Sequence, residues 1–242
     1  MSTQKFVPLT PRVVLGVAAH PDDLDFGAGG TMAKFVADGA SVHYLILTDG
    51  SKGSSDPHST SPELVKIRQE EQRNAVKVIG GAGVEFLGQP DGMLEVTMDL
   101  KRKIVKAIRT IKPDVVVTMD PSVLYAASLG FINHPDHRAA GQATLDAVFP
   151  LARDHLSFPE LYAAGYQPHI TPTILLINFE NRNFYVDISE HMDTKIAAIA
   201  AHDSQVDDLD AIQTRFKQIG ALIGAKTGSQ YAEAFIRIDI SG

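Results

Sequence analysis

The chain of 242 residues predicts an α/β fold, and two observations carry that expectation. Short apolar runs of strand length alternate with longer segments whose apolar residues recur at helical spacing, the pattern of parallel βαβ units with helices on both faces of a sheet. The composition suits a packed interior: 44% of residues are hydrophobic and the formal net charge is −7 (22 − 29). A chain of this length buries a substantial core without disulfides.

Each element follows from its local pattern. Val13 to Ala19 is an apolar run of buried-strand type. A Gly-rich turn follows, then a helix from Thr31 to Asp38 that stops at Gly39. Val42 to Leu47 is the second strand, and the polar, Gly- and Ser-rich stretch Asp49 to Ser61 is a loop that reads either as a lid over the site or as a solvated connection, its place after a strand favouring the lid. Ser61-Pro62 reads as a helix cap with proline at the first helical position. Leu64, Ile67, Ala75, Val78 and Ile79 then keep helical spacing up to Gly80-Gly81.

Val84 to Leu87 is a third strand, and Asp91-Gly92 a turn. Asp99 caps a helix through Leu100, Ile104, Ala107, Ile108 and Ile111, ended by Pro113. Asp114 to Met119 is the fourth strand. Ala139 to Val148 reads as a helix, and residues 153–173, with three prolines, as a surface excursion. Ile174 to Phe179, Phe184 to Val186 and Ala234 to Ile238 are strands, with helices near Ile196 to Ala201 and Leu209 to Leu222. The whole predicts a Rossmann-like, mostly parallel sheet with a C-terminal α+β extension. We expect one domain over 1–242, with a core of about 11–150 and an extension of about 151–242.

Composition excludes several functions. With no cysteine, there is no disulfide, thiolate nucleophile, Cys-type zinc site or Fe–S cluster. The acidic balance opposes nucleic-acid binding, which favours a basic face. No signal peptide or bilayer-length apolar run is visible, so a cytoplasmic, membrane-free protein is expected.

Ligands of open α/β sheets bind beyond the carboxyl ends of strands. A dinucleotide fingerprint after the first strand is only half present: Gly27 and Gly29 fit, but Met32 holds the third glycine position. The strand end instead carries His20-Pro21-Asp22-Asp23, and a second His-Pro-Asp, followed by His137, stands at His134-Pro135-Asp136. Chance predicts on the order of 0.04 such triplets in a chain of this composition. Either copy alone reads as a turn or helix cap. Two copies on one rim of the sheet point to a metal site.

Proline fixes the backbone after each histidine and extends the residue before it. His20, Asp23 and His137 then supply two imidazoles and one carboxylate, the ligand count of a catalytic zinc site. Asp22 is placed to take a proton from a metal-activated water. His134, paired with Asp136, is expected as an imidazolium facing an oxyanion or leaving amine.

AHPDD after the first strand, HPDH after a later one, and Arg68-x-x-Glu71 between them resemble the LmbE/PIG-L family of zinc-dependent N-acetylglucosaminide deacetylases. The resemblance runs from about Val13 to about Gln205. It implies His20, Asp23 and His137 as metal ligands and Asp22 as general base. It further implies His134 as the residue that stabilises the tetrahedral intermediate, with Asp136 orienting it. Arg68 matches an arginine at the substrate pocket, and His202, in His202-Asp203-Ser204-Gln205, a histidine that approaches the substrate. One position departs: Leu24, then Asp25, follows AHPDD where many members have Glu.

The implied activity is removal of an N-acetyl group from an N-acetylglucosamine-type sugar conjugate, with release of acetate and a free amine. The implied cofactor is Zn²⁺, with Fe²⁺, Co²⁺ or Ni²⁺ accepted by the same ligands. The implied partner is a small N-acetylated amino-sugar conjugate, and a homo-oligomer is compatible with the resemblance. Two other functions use the same residues: a non-haem Fe(II) oxygenase with a His₂-carboxylate site, and a non-catalytic sugar- or nucleotide-binding module whose HPD segments are turns.

Overall fold

The computed structural model describes residues 8–54, 56–127, 130–178 and 180–240. Its elements, in chain order, are β1 (Val13–Ala18), α1 (Asp23–Ala37), β2 (Ser41–Thr48), α2 (Ser61–Ile79), β3 (Gly83–Gln89), α3 (Met98–Ile111) and β4 (Val115–Met119). A small hairpin, β5 (Tyr125–Ala126) and β6 (Phe131–Ile132), precedes α4 (Pro135–Asp146). The chain continues through α5 (Pro159–Ala163), β7 (Thr173–Ile177), β8 (Phe184–Asp187), α6 (Met192–Ala200), α7 (Leu209–Gly224) and β9 (Ala232–Asp239).

Seven strands form one sheet in the order β3-β2-β1-β4-β7-β9-β8. β3, β2, β1, β4 and β7 are parallel, whereas β9 runs antiparallel to both β7 and β8. The expected mostly parallel α/β sheet is therefore present. The central parallel strands β1, β2, β4 and β7 are largely buried on both faces, as parallel strands covered on two sides require. Val14, Val42, Ile46 and Val117 join a core that also holds Leu24, Ala75 and Ile196 of α1, α2 and α6. Leu15, Val17, Leu45 and Val116 meet Leu100 and Ile104 of α3 and Ala140 of α4 in the opposite core.

The Gly-rich segment after β1 is helix, not turn, because α1 starts at Asp23. Its glycines make room. A Cβ on Gly27 would come within 2.8 Å of Ile177, and one on Gly30 within 2.6 Å of Ile188. The half fingerprint thus serves close packing of α1 on its neighbours. Two predicted caps shift by one or two residues: Thr60 precedes α2, and the Thr97 side chain accepts the Leu100 N–H at the start of α3. Gly80 ends α2 in the left-handed conformation, as expected of a C-terminal glycine.

Residues 153–173 are tied down more firmly than an excursion implies. The buried Arg109 guanidinium donates to the carbonyls of Leu151, Ala152, Asp154 and Ser157. No helix among the described residues is long and apolar enough to cross a membrane.

Chain order reverses between β1 and β4, which lie side by side although β2 and β3 come between them in sequence. A crevice opens at such a switch point. The first HPD segment leaves β1, and the second follows β4 and the β5–β6 hairpin.

Candidate metal and catalytic site

Both HPD segments meet in an open cavity of about 330 Å³ lined by His20, Asp22, Asp23, Arg68, His134 and His137, together with Lys52, Gly53, Asp91 and Gly92. Of the predicted site residues, His202 and Asp136 do not line it.

His20, Asp23 and His137 converge. Asp23 Oδ1 lies 3.0 Å from His137 Nε2, and Asp23 Oδ2 lies 3.5 Å from His20 Nδ1. The remaining nitrogen of each ring faces an acceptor. His137 Nδ1 is 3.2 Å from Asn133 Oδ1. The Asn133 amide is oriented by its own Nδ2–H donating to the Val123 carbonyl at 2.8 Å, so its oxygen accepts and His137 Nδ1 donates. His20 Nε2 donates toward Asp136 Oδ2 and Asp91 Oδ1, each at 3.2 Å.

These outer partners fix the tautomers, as carboxylates and amides behind metal-binding histidines do. In the neutral rings the free lone pairs of His20 and His137 both point at the Asp23 carboxylate. Three electron-rich groups facing one another call for a cation between them, and this donor set fits a divalent metal of the zinc kind. The sets whose ligand atoms all lie within 4.8 Å of one another are His20, His134 and His137, and His20, Asp91 and Asp136; the first shares both histidines with the expected triad. The carboxylates of the last set are already engaged. Asp136 accepts the backbone N–H groups of Gly92 and Leu94, and Asp91 that of Lys52.

In the protein alone, the carboxylates around His20 favour positive charge at this place, whether carried by a proton on the ring or by a metal ion. Burial disfavours a charged His20, yet its hydrogen bonds with Asp136, Asp23 and Asp91 push it up to about 12. Burial tends to raise Asp23, but the charge and hydrogen bonds of His137 and His20 hold it well below the usual carboxylate range. Asp22 goes the other way. Burial and the neighbouring Asp23 charge push it up to about 6, against the opposing pull of Arg68, His202 and His20.

Three expectations are corrected. Asp136 does not orient His134 through its carboxylate, which is turned to His20 and to the turn at Gly92. Only its backbone N–H meets His134, at Nδ1, 3.2 Å away. His134 caps α4 through that contact, and a ring nitrogen that accepts a backbone N–H carries no proton. With Nδ1 taken up as an acceptor, His134 is also no imidazolium, and burial lowers its pKa. It is a neutral ring with its proton on Nε2.

The third correction concerns His202, which does not approach the cavity. It is fully buried, with Nε2 2.9 Å from Asp25 Oδ2. Its segment is bound to α1 and α2 through His202–Asp25 and Ser204–Glu71.

Arg68 does reach the cavity wall, although it is only 4% exposed. It donates to Asp22 Oδ2 at 3.1 Å, Pro21 O at 2.8 Å and Gly50 O at 3.0 Å. The last of these bonds holds Gly50, at the start of the loop after β2, against that wall. Asp91 and Asn133, behind the two imidazoles, escaped the sequence reading. Asp91 read only as a turn, although its place after β3 puts it on the same rim as the HPD segments.

Fold and site together define a hydrolase of the metal-dependent N-deacetylase class. Residues 15–148 match the PIG-L family, described as GlcNAc-PI de-N-acetylase, and the chain belongs to that family. It is 33% identical over 224 residues to the diacetylchitobiose deacetylase of Thermococcus kodakarensis, covering 92% of this chain and 81% of that protein. It is 28% identical to a probable N-acetyl-alpha-D-glucosaminyl L-malate deacetylase 2 of Bacillus anthracis, over 80% of this chain and 81% of the relative. The solved structure of N,N'-diacetylchitobiose deacetylase from Pyrococcus horikoshii superposes with a TM-score of 0.86 at 29% identity, covering 95% of this chain and 84% of that one.

Proposed function

We propose that the protein removes the acetyl group from an N-acetylglucosamine-type sugar conjugate by metal-assisted amide hydrolysis. The observation that carries this reading is the convergence of two imidazole lone pairs and the Asp23 carboxylate beside Asp22 in an open cavity. His20, Asp23 and His137 would hold the cation, zinc in the first instance. When bound, such an ion supplies a polarised acetyl carbonyl and a water of lowered pKa.

The chain's own groups do the rest. Asp22 accepts the proton of the water that attacks the acetyl carbon. Its carboxyl, pushed up to about 6, lies in the range where a general base is also able to give its proton back. His134 donates its Nε2–H to the oxygen that becomes negative in the tetrahedral intermediate. As that neutral ring gives up its last proton only to become an imidazolate, Asp22 returns the proton to the leaving amine. Arg68 fixes the Asp22 carboxylate and the Pro21 carbonyl in one geometry.

The small-sugar substrate class is supported by the relatives' names, which specify diacetylchitobiose and an N-acetylglucosaminyl malate. The net charge of −7 disfavours a polyanionic partner. Absence of cysteine suits a reducing compartment such as the cytoplasm.

The test is acetate release from N,N'-diacetylchitobiose and related N-acetylglucosamine conjugates. Purified protein should turn over at least one of them, lose that activity to a chelator, and regain it with Zn²⁺. Chelator-resistant activity, or no bound metal together with no acetate release, overturns the proposal. A sugar-binding module would bind without turnover. An iron oxygenase would require oxygen.

A further inference from the structure

Behind Asp22 lies a chain of buried polar groups that the proposed chemistry does not use. Asp22 has φ 102°, a positive value that is strained for a non-glycine residue and persists only where the surroundings enforce it. Its backbone N–H donates to Gln72 Oε1 at 2.9 Å. The same amide, fully buried, donates through Nε2 to Asp25 Oδ2 at 2.7 Å. Asp25, also fully buried, accepts the Tyr44 hydroxyl at 3.2 Å and His202 Nε2 at 2.9 Å. His202 Nδ1 has no partner among the described residues, so Asp25 is the ring's hydrogen-bonding anchor.

The residues after His202 are equally committed. Ser204 donates its N–H and its hydroxyl to Glu71 of α2, at 2.7 and 2.8 Å. Gln205 Nε2 donates to the Gly53 carbonyl at 2.8 Å. One short turn thus holds α1, α2 and the loop after β2, the three segments that surround Asp22 and Arg68.

We infer that residues 202–205 are a positioning device: His202, through Asp25 and Gln72, keeps the Asp22 backbone in the conformation that presents its carboxylate to the cavity. Asp25 is the relay, one position beyond the Leu24 that departs from the family pattern. The inference rests on the N-deacetylase reading for the role of Asp22, but the geometry it invokes is measurable without that reading.

The experiment compares the full-length, metal-loaded protein with His202→Leu, His202→Gln and Gln72→Leu. Acetate release from N,N'-diacetylchitobiose, bound metal, melting temperature and crystal structures are measured. His202→Leu should lower kcat about 10- to 100-fold, the range for removing a supporting partner, with KM nearly unchanged and metal still bound. His202→Gln retains an N–H for Asp25 and should restore most of the loss. In Gln72→Leu, Asp22 should leave the positive-φ region.

A folded His202→Leu with wild-type kcat overturns the inference. So does a raised KM at unchanged kcat, which would make His202 a substrate contact, or a Gln72→Leu crystal in which Asp22 keeps its positive φ. If the parent protein releases no acetate from any N-acetylated sugar, the deacetylase reading falls. The Asp22 backbone angle in the variants then decides the positioning role alone.

Discussion

Asp22 and Asp23 are neighbours in sequence with opposite electrostatics. Asp23 faces two imidazoles and stays ionised; Asp22 is buried against that charge and is held near 6. A metal ligand and a proton acceptor thus arise from one dipeptide. Asp22→Asn should keep stoichiometric metal and lose turnover about 10²- to 10⁴-fold, the usual contribution of a general base; metal analysis beside acetate release checks both halves. Asn133→Ala should behave differently. It removes the acceptor that orients His137, so metal affinity should fall about 10- to 100-fold while saturating metal restores most activity. Competition with a fluorescent chelator measures that affinity.

At the level of elements, the two histidines of the second motif are carried by the start of α4, and α4 is seated by Gly141. A Cβ there would collide with the Met119 carbonyl at the end of β4. Gly141→Ala should therefore destabilise the fold by about 1–3 kcal/mol, the cost of overpacking, as read by denaturant unfolding. It should also weaken metal binding, because α4 cannot lift from β4 without moving His134 and His137.

Sequence patterns located most elements because their signals are local. α2 was legible from its apolar spacing and Gly80, and β4 from its continuous valines. The beginning of α1 was not legible, since glycines that read as a turn are there to admit Ile177 and Ile188. The two-residue strands β5 and β6 are too short to carry a period.

For the whole molecule, the C-terminal extension is part of the sheet. β9 lies between β7 and β8, pairing with both. Glu233 on β9 accepts the Gly30 and Thr31 N–H groups of α1 and pairs with Lys195. Truncation after residue 189 should consequently leave a chain without a cooperative thermal transition, whereas a removable appendage would leave the first four strands folded; calorimetry separates the two.

The sequence by itself determined the α/β alternation, the two HPD segments and the identities of the residues that converge, because strand and helix periods and a repeated triplet are written along the chain. Only the tertiary structure decided what each side chain faces. It turned Asp136 to His20 rather than His134, left His134 neutral, and buried His202 against Asp25. Those outcomes depend on hydrogen bonds and burial between residues as much as 177 positions apart, and neither composition nor local spacing encodes such partners.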